Sequence, residues 1–310
     1  MSDPKRHHYV PAFYLAGFTV DRNRDASFSV YDREKNEFRT QTPDTSAHQR
    51  YYYATETPEG KRDFSVETFF SGFENAAKPL IDKLEQEGII TDDERATLAL
   101  FFALLHTRVP QFERTSNEIY DAMQKALNRI RYRSPDDVRQ AMDELEREQG
   151  IKIPATAESA FALLTGEELK FAAHRNETIA TMIRMAIDVG GHLNQFMWHV
   201  IHATPNSQFL TIDAPVVVLP PPDWTGDCGY GFLTPGAMTF LPLTARCALF
   251  MENTAFGLDH RVMPEEGIHI NNKGIVSHSE RFVFARDKRY LERVVVESRL
   301  PEIPLRPSFV

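Results

Sequence analysis

"QFLTIDAPVVVL", residues 208–219, is the stretch on which the reading of the fold turns. Before it, from about residue 64, apolar residues recur at spacings of three and four; from here on they run in short β-branched and aromatic blocks. The blocks "QFLTI" (208–212), "VVVL" (216–219), "MTFLPL" (238–243), "CALFM" (247–251), "RFVFA" (281–285) and "RVVVE" (293–297) predict strands. Upstream, Phe69, Phe73, Ala76, Leu80 and Leu84 predict a helix that stops at Gly88. Thr91 and Glu94 form a capping box in front of Leu98, Phe101, Phe102 and Leu105. After Pro110 a further helix carries Ile119, Met123, Leu127 and Ile130. "SPDDVRQAMDELEREQG" (134–150) has Ser as cap, Pro first, acids in the opening turn and Gly as stop; its charge predicts a peripheral helix. Thr165 and Glu168 form a second capping box, predicting a long helix that reaches about Ala203, with a kink at Gly190-Gly191.

The first 60 residues hold short extended segments, "FSVYD" (28–32), "EFRT" (37–40) and "YYYAT" (51–55). Three such strands are too few and too short to stand alone. The predicted class is therefore α+β, with N-terminal short strands joining a C-terminal mostly antiparallel sheet and a large central helical region. Residues 1–310 are read as one interdigitated domain, with 64–203 as a helical insertion. A Pro/Gly-rich loop runs from Pro220 to Pro235, a kind of segment that often carries function.

Composition narrows the class. With 42% hydrophobic and 11% aromatic residues, 310 residues can bury a full core. A net charge of -9 argues against broad nonspecific nucleic-acid binding, which needs a basic face, and leaves room for a small basic pocket. Cys228 and Cys247 form no CxxC pair and are expected to be reduced. The opening "MSDPKRHHYV" has no apolar h-region, and apolar runs fall short of the roughly 18 residues of a membrane span. A cytoplasmic protein without a membrane segment is expected, and the composition fits a monomer and an oligomer alike.

"KRHHYVPAFYLAGF" (5–18) places much aromatic surface where chain ends are usually polar. Adjacent strand residues face opposite sides, so only one of His7 and His8 joins the core face. His8 is the candidate acid or base, against the reading that His8 and Tyr9 simply anchor the segment. Arg108, at the end of an apolar helix in "HTRVPQFE" (106–113), suits a bidentate grip on carboxylate or phosphate; it would equally make a buried salt bridge to a residue such as Asp213. Asp213 ends a strand, where a carboxylate serves catalysis, a metal or a turn. Asp188, His192, Gln195, His199 and His202 follow steps of four and three on the predicted helix, the pattern of a polar outer face; only His199 and His202 lie close enough to share a metal. No Walker loop, GxGxxG, GxSxG or zinc knuckle occurs, which removes the usual P-loop ATPases, Rossmann dehydrogenases and serine hydrolases.

Taken together, "HHYVPAFYLAGF", "TRVPQF", "FLTIDAPVV" and "FLPLTARCALF" resemble domain-of-unknown-function family 4238, a bacterial family, over about residues 6–286. The resemblance singles out His8, Tyr9, Pro11, Arg108, Asp213, Pro215, Pro242 and Arg246, and implies no particular reaction. Two departures stand out: Ile212 where the family has Ser or Thr before the Asp, and Ala245 where it has a second proline. One reading is an enzyme, a hydrolase or phosphodiesterase/nuclease, with His8 and Asp213 catalytic and Tyr9, Arg108 and Arg246 holding the substrate. Its substrate would be a phosphate-containing small molecule or a nucleic-acid end. Another is a non-catalytic binding protein, and a third makes the same polar residues structural locks. The sequence leaves metal and cofactor open.

Overall fold

The computed structural model describes residues 6–226 and 229–298. The chain opens with β1 (Arg6–His8), α1 (Ala12–Ala16), β2 (Phe28–Asp32), β3 (Glu37–Gln41) and β4 (His48–Arg50). A small hairpin, β5 (Thr55–Glu56) and β6 (Arg62–Asp63), leads into helices α2 (Ser65–Glu85), α3 (Asp92–Thr107), α4 (Pro110–Arg131), α5 (Pro135–Gln149), α6 (Ala157–Thr165) and α7 (Arg175–Leu193). There follow β7 (Met197–Ala203), β8 (Thr211–Ile212), β9 (Val217–Leu219), β10 (Met238–Pro242), β11 (Cys247–Glu252), β12 (Gly257–Met263), α8 (Glu265–Ser277), β13 (Phe282–Ala285) and α9 (Lys288–Glu297). This is the α+β class that the sequence predicts.

The chain divides into two compact units, one of the described residues up to Phe112 and from Ile179 onward, the other of Glu113–Thr178. In the first unit a four-stranded antiparallel sheet has the order β3-β2-β13-β8, so the N-terminal strands do pair with a C-terminal one. A five-stranded sheet has the order β12-β7-β11-β10-β9, antiparallel except where β12 runs parallel to β7. Its inner strands β7, β11 and β10 are largely buried because both of their faces are covered, whereas the edge strand β12 is polar and partly exposed. Trp198, Val200, Leu241, Leu249 and Met251 join the core that includes Phe101, Phe102 and Met182 of the helices. Ile201, Phe240, Ala248 and Phe250 join a second core with Ile212, Ile268, Val283 and Val294. In the second unit α5 starts and stops as its sequence dictates: Ser134 accepts from the Asp137 amide, and Gly150 takes a left-handed φ of 67°.

Four expectations need correction. The helix expected to reach Ala203 ends at Leu193, and residues 197–203 form β7; the alternation of Trp198, Val200 and His202 with His199, Ile201 and Ala203 has a strand's period. His199 and His202 therefore do not belong to a helical stripe. Thr165 closes α6 instead of opening a helix, whose cap is Thr156. "RVVVE" is the end of α9, where the Asp287 cap and the spacing of Leu291, Val294 and Val295 override β-branched propensity. Tyr51, Tyr52 and Tyr53 form a turn, with Tyr51 at φ 57°. Cys247 is free and buried in β11, whereas Cys228 lies outside the described residues. Among the described residues no helix is long and apolar enough to cross a membrane.

Gly190 marks a close approach between α7 and α3: a Cβ there would lie 3.0 Å from the Leu100 Cα. A methyl group must push backbone, which cannot yield like a side-chain tip. Gly190→Ala is expected to cost about 1–3 kcal/mol in denaturant unfolding, and Gly191→Ala, exposed in the same helix where a Cβ meets nothing, to cost nothing and gain up to about 1 kcal/mol.

Candidate functional site

The N-terminal segment is where the four sequence motifs meet. β1 pairs with β4, aligning His7 with Gln49 and His8 with His48, and the Tyr9 amide donates to the Ala47 carbonyl at 2.9 Å. Pro11 then starts the short α1, whose Tyr14 hydroxyl donates to the Pro242 carbonyl and lies 2.8 Å from the Thr211 hydroxyl. The Gly17 carbonyl accepts from the Ala245 amide at 3.0 Å. So one segment of a dozen residues bonds to the strand before Asp213 and to the turn between β10 and β11. A side chain at position 17 would press on the Thr244 methyl at 3.2 Å and the Leu243 carbonyl at 3.4 Å, so glycine there permits the docking.

On the other side of the segment His7, not His8, is the fully buried histidine. Its Nδ1 accepts the Tyr53 amide at 2.9 Å, and its ring stacks on Tyr53 at 5.9 Å. Arg108, only 1% exposed, caps the same cluster. Its Nη1 donates to Glu74 Oε1 at 2.9 Å, its Nη2 donates to the His8 carbonyl, and its plane lies over Tyr53 and Phe70. The Tyr53 hydroxyl closes the ring by donating to the Arg108 carbonyl at 2.7 Å. The salt bridge expected as one alternative for Arg108 therefore exists, with Glu74 as partner in place of Asp213. Glu67 sits beside it, Oε2 3.8 Å from His7 Nδ1, and that oxygen and Arg108 Nε have no hydrogen-bond partner among the described residues. Burial pushes the Glu67 carboxyl up to about 7; Arg108 opposes the shift and Glu74 adds to it.

The remaining predicted site residues are spread out. The His8 ring turns to the opposite face, with Nε2 3.2 Å from the Asp44 carbonyl and the His48 ring 5.5 Å away; burial lowers its pKa to about 4, so it is neutral at pH 7. Tyr9 lies near Asp213: burial, then the Asp213 charge, raise its pKa. Asp213 Oδ1 accepts from the Glu280 amide at 3.1 Å, and Oδ2 from those of Arg281 and Phe282 at 2.8 and 3.0 Å. Burial nevertheless pushes its carboxyl up to about 6. Arg246 stands apart, donating to the carbonyls of Ala203, Thr204 and Ser207 and so holding the loop that follows β7.

Sequence reasoning missed His7, Tyr53, Glu67 and Glu74. A signal was present: Glu67 and Glu74 are seven residues apart on the stripe that carries Phe70, Ala77 and Ile81, and acids on a buried face need a partner. His199 and His202 face opposite sides of β7 and share no site. His199 instead bridges Asp259 at 2.7 Å and Glu252 at 3.0 Å, and His202 meets His260 at 2.9 Å. Among the described residues no group of three or more His, Cys, Asp or Glu is arranged to hold a metal ion.

A cleft of about 270 Å³ opens beside α1. Phe13, Tyr14 and Gly17 of the N-terminal segment and Leu243 and Thr244 of the β10–β11 turn form one side; Arg22, Lys78 and Asp82 form its polar side. Asp82 bonds both cations, Arg22 at 2.5 Å and Lys78 at 3.3 Å, and Glu85 holds Arg22 as well at 3.1 Å. None of His8, Tyr9, Arg108, Asp213 and Arg246 lines it.

The Glu67 carboxyl gives a pH signature. Folding raises its pKa from 4.5 to about 7, so the folded chain takes up a proton between these values and stability falls as pH rises through that window. Glu67→Gln is expected to remove the penalty, adding about 1–2 kcal/mol above pH 7 after solvent screening and nothing below pH 4.5. Chemical denaturation of both proteins across pH checks this.

No curated protein and no solved structure matches the chain. A family match covers residues 6–289, from β1 into α9, and takes in all the motif segments that converge on the N-terminal strand. The chain therefore belongs to the family described as "Protein of unknown function (DUF4238)".

Proposed function

We propose that this chain is a non-catalytic binding protein that takes a small anionic, phosphate-containing ligand in the cleft beside α1. In this reading Arg108, Asp213 and Arg246 are locks, and Tyr9 and His8 anchor the segment they hold. One observation carries it: two motif segments form the wall of a cleft whose other wall bears Arg22 and Lys78, while the motif arginines and Asp213 are committed to internal partners. An incoming phosphate would compete with Asp82 for both cations and with Glu85 for Arg22. The small volume and the acidic net charge favour a nucleotide, a sugar phosphate or the end of a nucleic-acid strand over a long duplex.

A second reading is favoured by Glu67 alone. A carboxyl titrating near 7, with one oxygen unpartnered beside His7, has the properties of a general base, and with Arg108 it would suit a hydrolase or phosphodiesterase/nuclease.

Thermal shift with nucleotides, sugar phosphates and inorganic phosphate separates the two. The binding reading expects one class to raise Tm by roughly 5 °C at a hundredfold excess over Kd, about 2.7 kcal/mol. Lys78→Ala should abolish the shift, and Asp82→Asn, which frees Lys78 and leaves Arg22 with Glu85 alone, should enlarge it. A flat panel with intact protein sinks the cleft. Turnover of a phosphate ester that Glu67→Gln abolishes and Lys78→Ala spares would establish the hydrolytic reading instead.

A further inference from the structure

α4 is an amphipathic helix set the wrong way round for its own unit. Its polar edge does the holding: Lys125 is buried and bonds Asp121 and Glu167, Asn128 bonds the Leu164 carbonyl and Arg129 bonds the Thr165 carbonyl. Its apolar edge faces outward. Ile119, Met123, Leu127 and Ile130 are 49%, 48%, 50% and 67% exposed, and Ala122 and Ala126 between them are exposed too. Scattered surface leucines are ordinary, but six apolar residues in one stripe over three helical turns are not.

The order of residues along the stripe states what covers it. From this pattern we infer that α4 pairs antiparallel with the α4 of a second copy of this chain, about a two-fold axis near Gln124. In that arrangement each flank of the helix meets the same flank of its partner at mirrored height. Ala122 then meets Ala126 on one flank, so the backbones approach closely there. Met123 meets Leu127 on the other flank, and Ile119 meets Ile130 along the middle. Glu118, exposed at one end of the stripe, comes beside Arg129 at the other, whose guanidinium is bonded to Glu167 at 2.5 Å and still 52% exposed. A parallel pairing would set the alanine flank of each helix against the Met123–Leu127 flank of the other and keep Glu118 and Arg129 about 16 Å apart in height. Only the antiparallel direction therefore sets the opposite charges at the two ends of the stripe beside each other.

Light scattering after gel filtration, over a micromolar to several-hundred-micromolar range, tests the pairing on the full chain. The wild type is expected to be a dimer at the upper end and Met123→Glu a monomer throughout, its dissociation constant weakened at least a hundredfold. Because both side chains are exposed, Met123→Glu should keep the wild-type Tm of the monomer. A second test does not depend on that variant: in a Cys228→Ser background, Ala122→Cys chains mixed with Ala126→Cys chains should form the mixed disulfide in preference to either homodisulfide. A wild type that stays monomeric overturns the proposal, whether or not the stripe binds vesicles or another protein. Homodisulfides in preference to the mixed one overturn the antiparallel register.

Discussion

The constraint on which the rest depends is the burial of the Arg108 charge. A guanidinium removed from water is tolerable only if its charge and most of its donors are met, and losing one partner of such a group typically costs several kcal/mol. Here the partners come from three places in the sequence: the His8 carbonyl from β1, the ring of Tyr53, and Glu74 with the ring of Phe70 from α2. Satisfying Arg108 therefore fixes β1 against α2 and the end of α3. With β1 fixed, α1 follows, and Tyr14 and Gly17 reach the strands of the C-terminal half. An N-terminal segment that would otherwise fray becomes a core element.

The same logic accounts for Asp213 and Arg246. Each ends or begins a piece of chain whose backbone groups would be left unpaired: the amides of residues 280–282 entering β13, and the carbonyls of residues 203–207 leaving β7. A carboxylate collecting amides and a guanidinium collecting carbonyls are charged substitutes for a ladder. In the binding reading proposed above, these residues are structural parts. They leave free the cleft beside α1 and the Glu67 oxygen, on which the two proposed readings draw.

The sequence made the frame legible where local signals and tertiary demand agree. Ser134, Pro135 and Gly150 bound α5 as their types require, Thr91 and Glu94 cap α3, and "FSVYD" pairs with "RFVFA". It misled where the two disagree. "RVVVE" has strand propensity and a helix's spacing, and spacing won because α9 buries one face only. The stripe of Ile119 to Ile130 gave the helix correctly, but periodicity reports a face and not what covers it. Of the site, the motif residues Tyr9, Arg108 and Asp213 do gather around one segment. The choice of His8 over His7 could not be settled from parity alone, since the face of β1 is decided by Tyr53 and Glu67, more than forty residues away.

Native-state hydrogen exchange of the Tyr53 and Tyr9 amides is the most direct measurement of this account. The first donates to His7 Nδ1 and the second to the Ala47 carbonyl, so both report on the docked segment without any mutation. If the segment is locked by Arg108, both should exchange only through global unfolding, with the same free energy of opening as core amides of β11 and the same denaturant dependence. Exchange at a much lower free energy, independent of denaturant, would mean that the segment frays on its own and that Arg108 does not hold the fold together.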